Sequence, residues 1–318
     1  MEKTSISVAA CADFLRAHDR YLIMSHCRPD GDTLGSSGAL CLILRKMGKT
    51  AYLMPNPEIT PRFETYVGGL IAPADYVHDT LVAVDLAAET MYPRGFAGER
   101  AALCIDHHGS NSFYAEQTLV RPECAACGEI ILELVRALGT ELDGEIADLL
   151  YIAISTDTGC FLYRNTTPAT HRAAAAVMEA GADYGRINKL MFRTISEARM
   201  RLEGAVYVGL KRYQNGEINA ATITLEMMER FSVTENDCDD LAAIAGRIEG
   251  SLCSITVREI APGRCKISLR SGDQVDSSAV CARYGGGGHP MAAGCTIDCP
   301  PEEAREKIVR AVMEAWKR

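Results

Sequence analysis

Four short clusters of acidic and histidine side chains stand out, because each directly follows an apolar segment predicted to be a strand or, for the fourth, a helix. They are His26-Cys-Arg-Pro-Asp30-Gly-Asp32, Asp85, Asp106-His107-His108, and Asp157 in Ser155-Thr-Asp-Thr-Gly159. Taken singly, an aspartate at such a position is usually a helix cap or a turn former. Together, carboxylates crowded at one edge of a sheet would repel one another unless cations neutralised them. The set therefore predicts a cation site.

The residue types narrow the chemistry of that site. His26 and His107 add imidazole nitrogens to the carboxylates, and such a mixed set suits Mn²⁺, Fe²⁺ or Zn²⁺ better than Mg²⁺ or Ca²⁺. The spacing of Asp30 and Asp32 lets the two carboxylates point at different ions. We therefore expect a two-metal hydrolase, with ions about 3.5–4 Å apart and a bridging hydroxide that attacks phosphorus.

A second motif lies near the C-terminus, in Arg283-Tyr-Gly-Gly-Gly-Gly-His289-Pro-Met-Ala-Ala-Gly294. Four consecutive glycines allow positive φ angles and a close approach of the backbone to a ligand. Backbone N–H groups in such a loop can hold an anion. His289 adds a donor, and Arg270 offers two parallel hydrogen bonds to a phosphate. A flexible linker is disfavoured, because patterned helix and strand flank the glycines.

Short strands and helices alternate in the part of the chain that must position the first four clusters. Strands are predicted at Tyr21–Ser25, Thr50–Met54, Leu81–Val84 and Ala101–Ile105, and helices at about 33–47, 130–138, 145–154 and 169–180. This alternation predicts an α/β domain with a parallel sheet and helices on both faces. Ligands of such sheets bind at the carboxyl ends of the strands.

The pattern changes in the second half of the chain. We expect connecting helices over about 187–213, a hairpin-type turn at Asn215-Gly216, strands at about 217–225, 251–260 and 266–269, and a helix at about 241–248. These elements predict a second, smaller α+β domain. The predicted organisation is a catalytic domain over residues 1–190, connecting helices over 191–213 and a substrate-binding domain over 214–318.

Composition excludes several classes of protein. Lys and Arg total 33 against 42 Asp and Glu, so the net charge is −9, which disfavours binding of long duplex nucleic acid. No apolar run is long enough to span a membrane, and the N-terminus does not resemble a secretion signal.

The 13 cysteines, an odd number without such a signal, indicate reduced thiols and a cytoplasmic location. The Cys124-Ala-Ala-Cys127 pair could be redox-active, but packing at a helix start is the favoured interpretation.

The motifs resemble those of the DHH phosphoesterase superfamily. HCRPDGD, Asp85, Asp106-His-His and Ser-Thr-Asp157-Thr-Gly match its four motifs, and GGGGHPMAAG matches the hallmark of the DHH-associated C-terminal domain. They occur in family order from His26 to Gly294. The length most resembles the branch of bifunctional oligoribonucleases and phosphoadenosine-phosphate phosphatases, the nanoRNase type.

The resemblance implies a role for each motif residue. One ion would be held by His26, Asp30 and Asp85, and the other by Asp32, Asp85, His107 and Asp157, with Asp85 bridging. His108 would contact the scissile phosphate and donate a proton, and Asp106 would orient the histidines. The far phosphate or terminal nucleotide would be bound by Arg270, Ser271, Gly287, Gly288 and His289.

We therefore expect a cytoplasmic, Mn²⁺-dependent phosphoesterase with two ions, although other divalent metals fit as well. Its expected substrates are short oligoribonucleotides, including linear dinucleotides, and 3′-phosphoadenosine 5′-phosphate. The alternatives are an exopolyphosphatase or other small-phosphate hydrolase and, more remotely, a non-catalytic nucleotide sensor, which would have lost metal ligands. The sequence leaves open the preferred substrate, the direction of cleavage, the metal and whether the protein is a homodimer.

Overall fold

The apolar runs of the first half of the chain form a five-stranded parallel sheet in the computed structural model, which describes residues 4–96, 98–234 and 236–317, with the backbone only at 236, 239 and 240. The strands are β1 (Tyr21–Met24), β2 (Ala51–Leu53), β3 (Thr80–Val84), β4 (Leu103–Asp106) and β5 (Gln117–Val120), in the order β2-β1-β3-β4-β5. Strands β1, β3 and β4 are buried along their whole length, which explains their nearly continuous apolar sequences.

Helices cover one face of this sheet. They belong to the set α1 (Val8–Ala17), α2 (Gly31–Lys46), α3 (Pro61–Val67), α4 (Cys127–Leu138), α5 (Gly144–Asp157), α6 (Pro168–Glu179) and α7 (Tyr184–Asn188). Alternate strand residues, such as Ile23 and Val82, pack against them in the main core. The opposite face, including Leu22 and Leu81, packs against Tyr76, Tyr92 and other residues of the segments between strands.

A six-stranded mixed sheet forms the second half. Its strands are β6 (Lys211–Tyr213), β7 (Ile218–Ile223), β8 (Cys253–Ala261), β9 (Arg264–Ser271), β10 (Gly287–His289) and β11 (Ala292–Ile297), in the order β10-β11-β9-β8-β7-β6. Only the β7–β8 pair is parallel among these described strands. One face packs against α10 (Ser277–Ala282) and α11 (Pro301–Ala315). Part of the other packs against α8 (Glu197–Val208), α9 (Leu225–Phe231) and a 3₁₀ helix, Asn236–Arg247.

The chain thus divides into two units, Met1–Thr194 and Ile195–Arg318. The predicted fold class, a parallel α/β domain followed by a smaller α+β domain, is confirmed. The expectation of helices on both faces of the parallel sheet is wrong in one respect, because the segments between strands, and not α-helices, supply the described core residues on the second face. The expectation of helix up to Tyr213 is wrong at its end, because Lys211–Tyr213 pairs with β7 across the Asn215-Gly216 turn. Within the described part of the chain, no helix is both long enough and apolar enough to cross a bilayer.

Candidate metal centre

The loop after β1 and the start of α2 hold the first cluster of ligands. Asp30 caps α2, and its Oδ1 accepts hydrogen bonds from the amides of Asp32 (3.0 Å) and Thr33 (3.1 Å). Asp32 therefore lies inside the first turn of the helix, where negative charge is favourable. The loop itself is tied down by Asn56, whose Nδ2 donates to the carbonyl of His26 at 3.0 Å.

Asp85 directly follows β3 and adopts a left-handed conformation, with φ 62°. Its amide donates to the carbonyl of Ile105 at 2.8 Å, which continues the pairing of β3 with β4 for one more residue. The side chain is only 3% exposed. Its Oδ1 has no hydrogen-bond partner within the described residues, although buried polar atoms are normally satisfied.

Asp106 ends β4 and organises the two histidines that follow it. Its Oδ1 accepts hydrogen bonds from the amides of His107 (2.8 Å) and His108 (3.2 Å) and from Nδ1 of His108 (2.7 Å). Its Oδ2 accepts from Nδ2 of Asn111 at 2.6 Å. Burial by itself would raise the pKa of this carboxyl group, but the hydrogen bonds from His108 and Asn111 hold the pKa below the ordinary value. Asp106 is thus a charged anchor for the histidines.

Asp157 is the last residue of α5, so the fourth cluster lies at a helix end, whereas β1, β3 and β4 lead directly into the other three. Glycines bring this helix end close to the start of α2. A Cβ atom on Gly35 would collide with the carbonyl of Leu149, and one on Gly31 would collide with the side chain of Thr156. The small size of these glycines is therefore required for Asp32 and Asp157 to share one site.

The structure brings the six predicted metal-binding residues together. Nε2 of His107 lies 3.4 Å from Asp85, 3.6 Å from Asp32 and 3.7 Å from Asp157. Nε2 of His26 lies 3.6 Å from Asp30 and 3.8 Å from Asp85. Two separate sets of potential ligand atoms result, each with atoms mutually within 4.8 Å: one of His26, Asp30 and Asp85, the other of Asp32, His107 and Asp157. A third set, of Asp85, His107 and His108, overlaps both. Asp85 contacts both histidines and lies between the two sets.

Backbone carbonyls set the tautomers of both histidines. Nδ1 of His26 lies 2.7 Å from the carbonyl of Cys27, and Nδ1 of His107 lies 3.2 Å from that of Cys124. A carbonyl only accepts hydrogen bonds, so we assign the proton to Nδ1 in each ring. The Nε2 lone pairs then face the carboxylates, as in metal-binding histidines oriented by a partner on the other nitrogen.

Asp32 has partners that the sequence did not reveal. The amides of Cys127 (2.7 Å) and Gly128 (3.1 Å), at the start of α4, donate to its carboxylate, as does the hydroxyl of Ser36 (2.8 Å). The Cys124–Cys127 segment contributes through its backbone rather than through thiol chemistry. The thiol of Cys127 is buried and donates to the carbonyl of Ile105.

The donor set fits divalent cations. Burial and the charge of Asp157 raise the pKa of Asp32 to about 7. Burial and the nearby charges of Asp32 and Asp30 raise the pKa of Asp85 well above its usual value. Buried carboxylates this close do not ionise together readily without cations. The unpartnered Oδ1 of Asp85 and the Nε2 atoms of His26 and His107 can serve as further metal ligands.

His108 differs from the other two histidines. Its Nδ1 is engaged by Asp106, and the bond to that carboxylate is the main cause that raises the pKa of His108. The side chain is 39% exposed, and Nε2 has no partner among the described residues. Nδ1 lies 3.5 Å from Asp85, so His108 borders the centre with its second nitrogen free to meet a substrate.

The residues predicted to bind substrate lie on the second sheet. Arg270 on β9 pairs with Ala292, which pairs with His289 on β10, so the side chains of Arg270 and His289 project from the same face. Gly287, Gly288 and His289 are exposed. Ser271 differs, because its hydroxyl is bonded to the carbonyl of Val275 (2.9 Å) and to Ser277 (2.7 Å) and so supports the turn after β9.

Comparisons with known proteins cover both units. Residues 20–154 match the model of the DHH family, N-terminal domain, and residues 204–318 match the DHHA1 domain. A curated relative from Thermus thermophilus, "Bifunctional oligoribonuclease and PAP phosphatase NrnA", is 34% identical over 303 residues, which is 93% of this chain and 90% of the relative.

Two solved structures agree with the fold. An exopolyphosphatase-related protein from Bacteroides fragilis has a TM-score of 0.85 at 24% identity, over 96% of this chain and 95% of that one. RecJ from Thermus thermophilus in complex with Mn²⁺ has a TM-score of 0.53 at 16% identity, over 97% of this chain and 54% of that one.

Proposed function

The chain belongs to the DHH family, and from this premise we propose that it is a metal-dependent phosphoesterase that hydrolyses short oligoribonucleotides, including linear dinucleotides, and 3′-phosphoadenosine 5′-phosphate. The observation that carries the proposal is the convergence of His26, His107 and three other aspartates around the buried Asp85. The names of the curated relatives support the substrate class. The net charge of −9 also favours short substrates over long strands.

We propose that His26, Asp30 and Asp85 hold one ion and that Asp32, Asp85, His107 and Asp157 hold the other. Mn²⁺ is the proposed ion, because the mixed carboxylate and imidazole set suits it. Two bound ions would supply an activated nucleophile and stabilise the charge on the attacking and leaving oxygens of the phosphate. The protein's own task is to fix the ligands, which it does through backbone amides and carbonyls.

His108 is proposed to act on the substrate directly. Asp106 favours the protonated imidazole and orients the ring through Nδ1, which leaves Nε2 to donate a hydrogen bond to the scissile phosphate. A protonated His108 can then transfer its proton to the leaving oxygen. Asp106 is a positioning residue in this scheme, because it contacts the histidine and not the substrate.

The second unit is proposed to bind the phosphate or nucleotide remote from the cut. Arg270 offers a planar, permanently charged donor, and the exposed Gly287, Gly288 and His289 offer backbone and imidazole donors. The proposed role of Ser271 is narrower, because its hydroxyl already bonds within the turn and can only add a further contact to substrate. The cytoplasmic location and a homodimeric state remain predictions.

The test is a rate comparison with purified protein and Mn²⁺ on a dinucleotide, a pentanucleotide, long RNA, 3′-phosphoadenosine 5′-phosphate and polyphosphate. We expect efficient hydrolysis of the dinucleotide, the pentanucleotide and the phosphoadenosine phosphate. Asp85→Asn should abolish these activities, whereas Asp79→Asn, at an exposed acid just before β3, should not. Efficient hydrolysis of polyphosphate alone would instead favour the exopolyphosphatase alternative.

A further inference from the structure

A cavity of about 370 Å³ in the second unit extends well beyond the residues already discussed. Arg270 and Gly287 lie at one part of its wall, but the cavity continues over the same sheet face to Lys266 and Ser268. All the lining residues lie between Ile223 and Gly294, so the second unit alone forms this cavity. The proposed function leaves the Lys266 end of it without a role.

The strand register divides the cavity floor into three rows. Arg270 pairs with Ser254 and Ala292 in the first row, Ser268 with Thr256 and Gly294 in the second, and Lys266 with Arg258 and Thr296 in the third. Successive rows are two residues apart along β9, so their side chains project from one face. The floor is therefore a trough with Arg270 at one end, Lys266 and Arg258 at the other, and small residues between them.

Lys266 is available for an anionic ligand. Its side chain is half-buried and lines the cavity. No hydrogen bond or ion pair engages this ammonium group, or the hydroxyl of Ser268, within the part of the chain that the structure describes. A half-buried lysine is suited to bind a phosphate as a point charge.

We propose that Lys266, with Ser268 beside it, forms a second phosphate site for oligoribonucleotides longer than a dinucleotide. The inference rests on the proposed function, in which Arg270 binds a phosphate remote from the cut. Four residues along a strand separate Lys266 from Arg270, which is roughly 13 Å. The small middle row of Ser268, Thr256 and Gly294 leaves room for a strand between the two cations. A dinucleotide or 3′-phosphoadenosine 5′-phosphate has no further phosphate to place at Lys266.

The experiment measures the ratio of kcat/KM for a pentanucleotide to kcat/KM for a dinucleotide. Lys266→Ala should lower this ratio about three- to tenfold, the range for one half-exposed charge contact. It should also reduce the slope of log kcat/KM against log salt for the pentanucleotide by about 0.7, the value for one lost contact to a single-stranded phosphate.

Two further variants control for charge and fold. Lys266→Arg should largely restore the ratio, because it retains the positive charge. Lys211→Ala removes an exposed lysine from the edge strand β6 of the same sheet and should leave the ratio unchanged.

The outcomes separate this inference from the proposed function. A wild-type protein that hydrolyses neither the dinucleotide nor the phosphoadenosine phosphate contradicts the proposed function. A wild-type protein that hydrolyses both, with the ratio and the salt slope unchanged in Lys266→Ala, contradicts only the second phosphate site. An equal loss on both substrates also contradicts it, because Lys266 would then belong to the same site as Arg270.

Discussion

The candidate metal centre and the face of the second sheet proposed to bind substrate are built in contrasting ways. Around the metal centre, Asp32, Asp85 and Asp106 are almost fully buried, and backbone groups fix the carboxylates and rings. On the second sheet, His289 is exposed and Arg270 half-buried, and the shape of the loop comes from glycines. The contrast agrees with the proposed roles, in which the first region holds metal ligands in fixed positions and the second offers a surface that recognises substrate.

Close backbone packing constrains the second region even though its side chains are exposed. A Cβ atom on Gly286 would collide with the carbonyl of Gly294 and lie 2.5 Å from the Cβ of Cys295. Gly288 adopts φ +144°, which disfavours other residues. Glycine is therefore required in both regions. At the metal centre it allows two helices to pack closely, and on the second sheet it allows the conformation of the loop.

The largest effect is expected from Asp85→Asn, which removes the carboxylate between both ligand sets. Asparagine tolerates the left-handed backbone at this position, so the fold should persist. We expect kcat/KM to fall by about 10³-fold or more on every substrate, with reduced metal content by elemental analysis. Near-normal turnover with undiminished metal content would contradict the assignment of Asp85 as the ligand shared by both ions.

Asp106→Asn should affect all substrates as well, but less severely. The variant keeps the size of the side chain and removes the charge that orients His107 and His108. We expect a loss of about 10–100-fold in kcat/KM, as for other residues that position metal-binding histidines. The pH profile should change too, because the pKa of His108 is no longer raised. A loss of activity with an unaltered pH profile would argue for a purely structural role.

Arg270→Ala should distinguish the two regions. Loss of a charged hydrogen-bond partner costs about 1.5–3 kcal/mol, so kcat/KM for a dinucleotide should fall about ten- to a hundredfold. Hydrolysis of bis-p-nitrophenyl phosphate should be largely spared, because it needs only the metal centre, and metal content should be unchanged. Equal losses on both substrates in a folded, metal-loaded protein would contradict the division of roles.

Gly286→Ala tests whether close backbone packing constrains the loop, with the stability of the protein as the measured quantity. The added methyl group meets backbone that cannot move easily, so we expect a loss of about 1–3 kcal/mol in the free energy of unfolding, measured by denaturant titration. Gly287→Ala is the matched control, because no atom lies within 4 Å of its added Cβ. Equal stability of the two variants would show that close packing does not constrain the loop.

The smallest expected effect is on the pH dependence of stability without metal. Burial and Asp157 raise the pKa of Asp32 to about 7, so ionisation of this group destabilises the fold as pH rises towards that value. Burial lowers the pKa of His26, but Asp30 and Asp85 have the larger effect and raise the pKa to about 9. The protonated imidazole therefore stabilises the fold at low pH, and this stabilisation is lost as the pH rises from about 6.5 towards 9. Both groups predict a melting temperature a few degrees higher at pH 6 than at pH 8.

Mn²⁺ should change this pH dependence, because its ligands bind in their deprotonated forms. The stabilisation by Mn²⁺ should therefore be larger at pH 8 than at pH 6, measured by thermal melting with and without the metal. A metal-free melting temperature that rises with pH in this range would contradict the predicted protonation of the centre.

Much of the fold and of the metal centre could be predicted because the signals are local. The runs at Tyr21–Met24 and Thr80–Val84 are apolar and end in acidic or histidine residues, and parallel strands bring their carboxyl ends to one edge. Strand β5 was not predicted, because it begins with Gln117 and Thr118 and lacks a clear apolar run. The structure places Asp157 beside Asp32 and His107, as predicted, but the helix end that positions it depends on packing of α5 against α2.

The amino-acid sequence alone determined which residue types form the candidate site and the order in which they occur. Only the tertiary structure decided how they are held. The amides of Cys127 and Gly128 meet Asp32 across 95 and 96 residues of chain, and Thr256 and Gly294 lie beside Ser268, between Lys266 and Arg270, only because of the register of β8, β9 and β11. Residue type and short spacing can be read locally, whereas backbone hydrogen bonds and strand register arise from contacts between distant segments, which leave no local signal in the sequence.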